Sequence, residues 1–553
     1  MTTEAAAPMG STGSAGSVGD AVATVLAAHG VTDLFGIPGI HTLALYDGIA
    51  QRPELRHIVT RHEQGAAFAA DGYARVSGRP GVACVTTGPG AFNALTAIAE
   101  AWADSSRVLL LAGQVATTEI GRRTGVLHET PDQAAAFRPV TALTGCPRTS
   151  DAVPAAVSDA FRAMSAERWQ PAYVELPNDL LRGTLEGFVP VVHPPPSPAV
   201  PAAEDIRRAA AILRSARRPL ILLGAGVTVA RGGEELCRLA ERLGAPVLPT
   251  GPAMGTLPDD HPLCGDFVSG SNPAHASLFA EADVVFAAGA HLGFNSTSFW
   301  RVPLTRLIHL NIDPGVIGRS YPAEVGLVGD ARAGLAALLD ELGAGSPTTD
   351  IDWGAARAAR ARRELRGTFR PEVARIDAAM HAARAALPRE SVVTHDAAGF
   401  NFWSAYAWPV YRPAGSLWPW GSATLGFALP TAIGAAVALG GRMPVVAVCG
   451  DGGFLFTATE LATAVMQSLP VITLVHNDHG FRSIGYHQER EYGGRLIGTE
   501  LVNPDIVAFA RSFGVHTERL EDIAGLPAAI ARAVATQGPA VIEITDPLGR
   551  PWA

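Results

Sequence analysis

Residues 443–478, MPVVAVCGDGGFLFTATELATAVMQSLPVITLVHND, carry the pattern that most constrains the chain. A short Val- and Ala-rich run gives way to a helical pattern, and a second Val- and Ile-rich run follows. Two strands separated by a helix of that length cannot form a hairpin; they lie parallel, with the helix crossing one face of the sheet. The alternation recurs along the chain. PGVACVTTG, AFNALTAIAEAWAD and RVLLLAG carry it near the start. RPLILLGAG, GEELCRLAERLG, APVLPT, ADVVFAAGA and LIHLNID carry it in the middle, and SVVTHD and PAVIEITD near the end. The expected fold is α/β, in three doubly wound domains with mainly parallel sheets.

Two breaks divide the 553 residues. VPVVHPPPSPAVPAAED (189–205) is proline-dense and extended, and GAGSPTTDIDWG (343–354) is a polar interruption between helical stretches. They predict a loose tail over 1–16, a domain over 17–188, a linker over 189–205 and a domain over 206–342. A linker with a connecting helix over 343–374 and a last domain over 375–553 complete the chain. The start lacks the basic and apolar regions of a signal peptide, and no apolar run reaches the about 18 residues of a membrane helix, so no membrane role is expected. Cys84, Cys146, Cys237, Cys264 and Cys449 are scattered without disulfide-framework or zinc spacing, which fits a cytoplasmic setting. The net charge of −9, with no basic stripe, excludes nucleic acid as an expected partner.

In parallel sheets ligands bind at the carboxyl ends of strands. CGDGG puts Asp451 at such an end, just before a helix. An Asp-Gly pair also closes ordinary turns. Here, however, the helix start offers free N–H groups suited to phosphate, and Gly452 and Gly453 let a phosphate approach the backbone. The next strand ends at Asn477-Asp478, 27 positions beyond Asp451, so adjacent strands would set the two ends side by side. Two oxygen ligands beside a phosphate-binding helix start suit Mg²⁺.

With these motifs the chain resembles enzymes that use thiamine diphosphate, from about Ser17 to the C-terminus, and most of all their acetolactate synthase-like branch. The resemblance implies pyrimidine-binding, central and diphosphate-binding domains. It implies that Asp451, Asp478 and the Gly480 carbonyl hold Mg²⁺, with Asp478 in place of the commoner Asn. Gly399, Gly452 and Gly453 are implied to bind the cofactor. In TRHEQGAAF, Arg61-His62-Glu63 on its own reads as a polar helix start. The resemblance assigns Glu63 to N1′ of the aminopyrimidine, where it promotes the imino tautomer that removes the C2 proton, a role for a carboxyl in an apolar cleft. GPGAFN is similar to the family's GPG-x-x-N loop, which implies that Gly88, Pro89, Gly90 and Asn93 lie near the pyrimidine. GSATLGFALPTAIGAA reads as Gly/Ala helix packing, and the resemblance implies that its Leu425 is the aliphatic wedge that bends the cofactor and brings its 4′-imino nitrogen to C2.

In GVLHETPDQ, His128 stands where acetolactate synthases carry a Gln facing C2 of the thiazolium, a place for proton exchange. Gln114, in AGQV, is either a family-like site position or structural. LLGAGVTVARGG begins like a dinucleotide site, but Val229 occupies the third glycine position. Structural glycines are favoured there, and FAD is left open.

The implied reaction is thiamine diphosphate- and Mg-dependent decarboxylation of a 2-oxo acid through an enamine, which is protonated to release an aldehyde. FGIPGIHTLALYDG and LHETPDQ look most like 5-guanidino-2-oxopentanoate decarboxylases. A carboligase such as acetolactate synthase, joining the enamine to a second carbonyl compound, is the alternative. A non-catalytic cofactor-binding protein is a remote one, disfavoured by the presence of Glu63 and Asp451. HNDHGFRSIGYHQEREYGG departs from such enzymes: Arg482 replaces the common Gly, and suits either an anionic substrate or a solvated surface. Glu489 and Glu491 either face a guanidinium or are surface charges. The resemblance further implies a homodimer or homotetramer with active sites at the subunit interface.

Overall fold

The computed structural model describes residues 16–268, 272–347, 349–370 and 374–548. The tail expected over 1–16 lies outside the described residues except for Gly16, which pairs with Leu185 in a short antiparallel ladder of Gly16–Ser17 against Thr184–Leu185. The chain divides into two compact units. The first comprises Met1–Ala70, Pro80–Trp102 and Arg107–Pro195, and the second Asp71–Arg79, Ala103–Ser106 and Pro196–Ala553.

The first unit holds a six-stranded parallel sheet of β1 (Asp33–Gly36), β2 (Arg56–Val59), β3 (Gly81–Val85), β4 (Val108–Gln114), β5 (Leu143–Gly145) and β6 (Ala172–Pro177). Its spatial order is β2-β1-β3-β4-β6-β5. The second unit holds two sheets. One contains β7 (Pro219–Leu223), β8 (Val247–Pro249), β9 (Val284–Ala288), β10 (Leu307–Asn311) and β11 (Val325–Val328), in the order β8-β7-β9-β10-β11. The other contains β12 (Val392–His395), β13 (Ser416–Leu417), β14 (Val445–Gly450), β15 (Val471–His476), β16 (His516–Leu520) and β17 (Ala540–Ile544), in the order β13-β12-β14-β15-β17-β16. All strand pairs within these three sheets are parallel, so the fold is α/β with three parallel-sheet domains.

The strands read as continuous apolar runs because helices cover both faces. VLLLAGQ in β4, PLILL in β7 and VITLVH in β15 are buried at every position. The proline-dense stretch has no regular structure up to Ala202, and the helix Ala203–Ser215 then begins inside the expected linker. Ala203-Glu204-Asp205 form its first turn, where acidic residues are favourable. The glycines of LLGAG pack rather than gape. A Cβ on Gly224 would stand 2.2 Å from the Gly289 carbonyl oxygen, and one on Gly226 would stand 2.8 Å from Gly289 Cα. Among the described residues no helix is long and apolar enough to cross a membrane.

Register positions the functional strand ends. Gly450 pairs with His476 and Val448 with His395, so the residues after β12, β14 and β15 emerge together on one edge. Leu474, fully buried in β15, anchors that edge. Leu474→Ala is expected to cost about 2–5 kcal/mol, read as a lowered urea midpoint for the second unit.

Candidate active site

In the first unit, Glu63 is the first residue of the helix Glu63–Ser77, which follows β2 after a short turn. Asn93, on the helix Pro89–Ala103 that follows β3, donates its amide to Glu63 Oε2 at 3.0 Å. Gly90 lies between them: a Cβ there would stand 3.3 Å from Glu63 Oε1 and 2.8 Å from Thr86 Cγ2. Gly88 adopts φ +61, and its N–H donates to Gln133 Oε1 at 2.6 Å. Gln133 is almost fully buried and donates in turn to the Gly113 carbonyl at 3.1 Å and the Tyr173 hydroxyl at 2.7 Å. Gln114 is also buried; it donates to Glu175 at 3.1 Å and accepts from the Val115 N–H at 2.8 Å. Of its two readings, the structure therefore gives the structural one. Burial pushes the Glu175 carboxyl up in pKa, against the pull of its hydrogen bond from Gln114.

His128 sits in a loop that Glu129 folds, accepting from the N–H groups of Arg123 and, at 2.8 Å, Gly125. His128 itself has φ +65, and its carbonyl oxygen would stand 2.7 Å from a Cβ on Gly88. Among the described residues, the buried side-chain atoms Thr60 Oγ1, Thr86 Oγ1, Thr87 Oγ1, His41 Nδ1 and His128 Nδ1 have no hydrogen-bond partner. Thr60 directly follows β2 and Thr86-Thr87 follow β3, so the carboxyl edge of this sheet holds buried hydroxyls without a partner among the described residues.

In the second unit, Asp451 opens the helix Asp451–Thr457 directly after β14 and is almost fully buried. Its Oδ1 accepts from the Gly452 N–H at 2.8 Å. Its Oδ2 accepts from the Gly480 N–H at 3.1 Å and the Asn503 amide at 2.6 Å. Asn503 also donates to Asn477 Oδ1 at 2.8 Å, and Asn477 donates to Glu543 at 2.7 Å. Asp478, two residues past β15, is therefore held beside Asp451. Burial raises the pKa of the Asp478 carboxyl, His476 opposes the rise, and Asp451 adds to it. Two neighbouring carboxylates are hard oxygen donors that repel each other, a repulsion that a divalent cation would relieve.

Gly452 and Gly453 have no room for a side chain: a Cβ would stand 2.4 Å from the Phe481 ring and 2.3 Å from Asp396 Oδ2 respectively. Gly399, by contrast, has open space where a Cβ would stand. Leu425 is half-buried in the turn before the helix Ala428–Ala438. The adjoining Gly426 has φ +75 and packs against Phe456 and Thr457, which ties that turn to the Asp451 segment.

Comparison with known proteins matches three successive segments of the chain. Residues 16–136 match the N-terminal TPP binding domain of thiamine pyrophosphate enzymes, 206–338 their central domain and 396–544 their C-terminal TPP binding domain. The chain belongs to the thiamine pyrophosphate enzyme family. A probable 2-ketoarginine decarboxylase of Pseudomonas aeruginosa is 37% identical over 541 residues, covering 97% of this chain and 95% of the relative. A probable acetolactate synthase large subunit of Methanocaldococcus jannaschii is 32% identical over 568 residues, covering 96% and 92%. The acetolactate synthase isozyme 1 large subunit of Escherichia coli is 30% identical over 534 residues, covering 93% and 91%.

Within this family setting, some polar residues have structural partners. Arg482 Nε donates to the Asp478 carbonyl at 3.0 Å and its Nη1 to Glu500 at 2.7 Å, so it braces the backbone after β15. Glu489 and Glu491 are exposed on the helix Arg482–Glu491, and Glu491 pairs with His487 at 2.9 Å. Cys237, Glu241 and His261 cluster closely, with His261 Nε2 at 3.6 Å from Cys237 Sγ. His261 Nδ1, however, accepts the Leu263 N–H at 3.2 Å, which leaves the proton of the neutral ring on Nε2. That makes the cluster a hydrogen-bonded one rather than a metal site.

Gln133, Asp396, Asn503 and His41 escaped sequence reasoning as site-building residues. All but Asn503 lie inside the motifs quoted above, but nothing local indicates their partners. Asp396 accepts from the Phe427 and Ala428 N–H groups at 2.7 and 2.8 Å, and burial pushes its carboxyl up to about 6.

Gln133→Leu would orphan the Gly88 N–H and is expected to cost about 1–3 kcal/mol, seen as a lower unfolding temperature. Asp396 gives a pH signature. Its folded pKa of about 6 exceeds the unfolded value of 3.8, so the folded state binds the extra proton and wild-type stability from this group falls as pH rises between them. Relative to Asp396→Asn, the wild type should lose on the order of 3 kcal/mol across that window in denaturant titrations.

Proposed function

We propose that the protein is a thiamine diphosphate- and Mg²⁺-dependent decarboxylase of a 2-oxo acid, with 5-guanidino-2-oxopentanoate as the preferred substrate. The observation that carries this reading is the full-length similarity to a probable 2-ketoarginine decarboxylase, 37% identical over 97% of the chain. The family supplies the cofactor; the residues present fit it. The buried, unpartnered threonine and histidine atoms at the first sheet edge suit a polar heterocycle, and the Asp451–Asp478 oxygen set suits a metal holding a diphosphate.

Bound thiamine diphosphate supplies an electron sink for the pair left behind when CO₂ departs. In our reading Asp451, Asp478 and the Gly480 carbonyl hold Mg²⁺. Gly452, Gly453 and Gly399 keep side chains away from the diphosphate, and Leu425 supports the bend between the rings. Glu63, oriented by Asn93, holds a proton at the aminopyrimidine, with Pro89 setting the start of the Asn93 helix. His128 moves a proton on the substrate side. The sheets correspond to pyrimidine-binding, central and diphosphate-binding domains.

We further propose a cytoplasmic homodimer or homotetramer in which the two half-sites meet when subunits assemble. Ile40, Phe92 and Leu127, 58%, 40% and 62% exposed beside the Glu63 half-site, support such assembly. The acetolactate synthase relatives favour carboligation as the second reading.

A screen of 2-oxo acids with thiamine diphosphate and Mg²⁺, measuring CO₂ and the organic product, separates the two. The expected outcome is 4-guanidinobutanal and CO₂ in equal amounts; acetolactate from pyruvate as the dominant product would favour the carboligase. Glu63→Gln is expected to lower kcat about 10²–10⁴-fold, and unchanged turnover would overturn the assigned role. Chelation by EDTA should abolish turnover, and added Mg²⁺ should restore it.

A further inference from the structure

In the decarboxylase reading, His128 serves the substrate end of the site. The fold sets a second histidine beside it. His41 lies in GIPGIHT, between β1 and the helix Leu43–Ala50, and is only 7% exposed. The His41 and His128 ring centroids are 5.4 Å apart, tilted by 38°. Nδ1 of each ring is buried and has no hydrogen-bond partner among the described residues.

Both rings hang from braced backbone. Gly39 N–H donates to Thr42 Oγ1 at 3.2 Å, which closes the turn around His41. Glu129 folds the loop that carries His128. The turn also reaches the floor that holds Glu63. A Cβ on Gly39 would stand 2.2 Å from Thr86 Oγ1, and Thr86 and Glu63 flank Gly90. The two histidines and Glu63 thus share one sheet edge.

Two imidazolium ions at this separation repel, and burial penalises each charge. At an effective dielectric of about 20 the repulsion separates the two protonations by about two pH units. A neutral imidazole beside an imidazolium does the opposite and supports its charge.

Resting on the decarboxylase reading, we propose that His41 and His128 form a one-proton pair, in which His128 carries the proton delivered to substrate and His41 is the neutral positioning residue that sustains that charge. The chemistry requires one such proton. CO₂ leaves its bonding electron pair on the carbon it departs from, and that carbon gains H⁺ to become the aldehyde C–H. His128 gives the proton and solvent returns it, so each turnover consumes one proton. The electrostatics agree in direction: burial first, then His128 and Arg182, hold the His41 imidazole below its ordinary range. Among the described residues those two are the titratable or charged groups that act on it, one from the His128 loop and one capping the helix Asn178–Leu181.

The test is histidine-selective NMR titration of the full-length holoenzyme as wild type, His41→Phe and His128→Phe, with His41→Gln as a second variant of different volume. In the wild type, His128 should protonate first and His41 about two pH units lower. In His128→Phe, the His41 midpoint should rise by about one unit or more. In His41→Phe, the His128 midpoint should fall by about half a unit, and the basic limb of the kcat profile should fall with it. KM and thiamine diphosphate affinity should stay within about threefold in that variant. Identical His41 midpoints with and without His128, or a His41→Phe pH profile that superimposes on the wild type, overturns the pair. The NMR coupling needs no turnover. If wild type releases no CO₂ from any 2-oxo acid, the decarboxylase reading fails by itself while the titration still decides the pair.

Discussion

The parallel pairing of β14 with β15 is the interaction on which the rest depends. Because Gly450 lies opposite His476, the chain leaves both strands at one level, and Asp451 and Asp478 arrive together without any contact between their own elements having to be built. A shift of register by one residue would swap side chains between the two covered faces and part the two carboxylates at the same time. The core and the site are therefore specified by the same hydrogen-bond ladder. The fully buried Val446, Val448 and Leu474 keep that ladder in place.

The site region spends this order on unfavourable electrostatics. Asp451, Asp478 and Asp396 are carboxylates gathered at one edge, and burial pushes the last two up. Backbone N–H groups and the Asn503 amide offset part of the cost at Asp451. In the first unit the analogous cost is unpaired polar atoms: the threonine hydroxyl oxygens after β2 and β3 are buried without partners among the described residues. A fold that tolerates both at strand ends, while its strands themselves are buried throughout, concentrates its unsatisfied chemistry where ligands bind in parallel sheets.

Legibility in the sequence followed locality. Strands such as VVAVCG and VITLVH could be read because covering both sheet faces demands unbroken apolar runs. Asp451 and Asp478 could be read because each stands next to such a run. Asn503 could not: it reaches Asp451 from 52 positions away, from a loop without periodicity. Gln133 likewise meets Gly88 from 45 positions away, and His41 meets His128 only through folded loops. Arg482 shows a different limit. Its charge suggested substrate or solvent, whereas its guanidinium is spent largely on the Asp478 carbonyl and Glu500, a use that depends on where a backbone oxygen points.

That brace also separates two kinds of freedom. Arg482 ties the Asp478 carbonyl to Glu500, and Gly480 bridges Glu500 in an isolated antiparallel pair, so both ends of the segment from 480 to 500 are clamped at its base. The exposed helix Arg482–Glu491 and the turn after it hang from that clamp as a closed loop. Exposed residues of that loop beyond Arg482 can be exchanged without touching the clamp itself. Changes in the exposed part of the loop leave the clamp in place, so what the loop meets can change while the strand-end carboxylates do not.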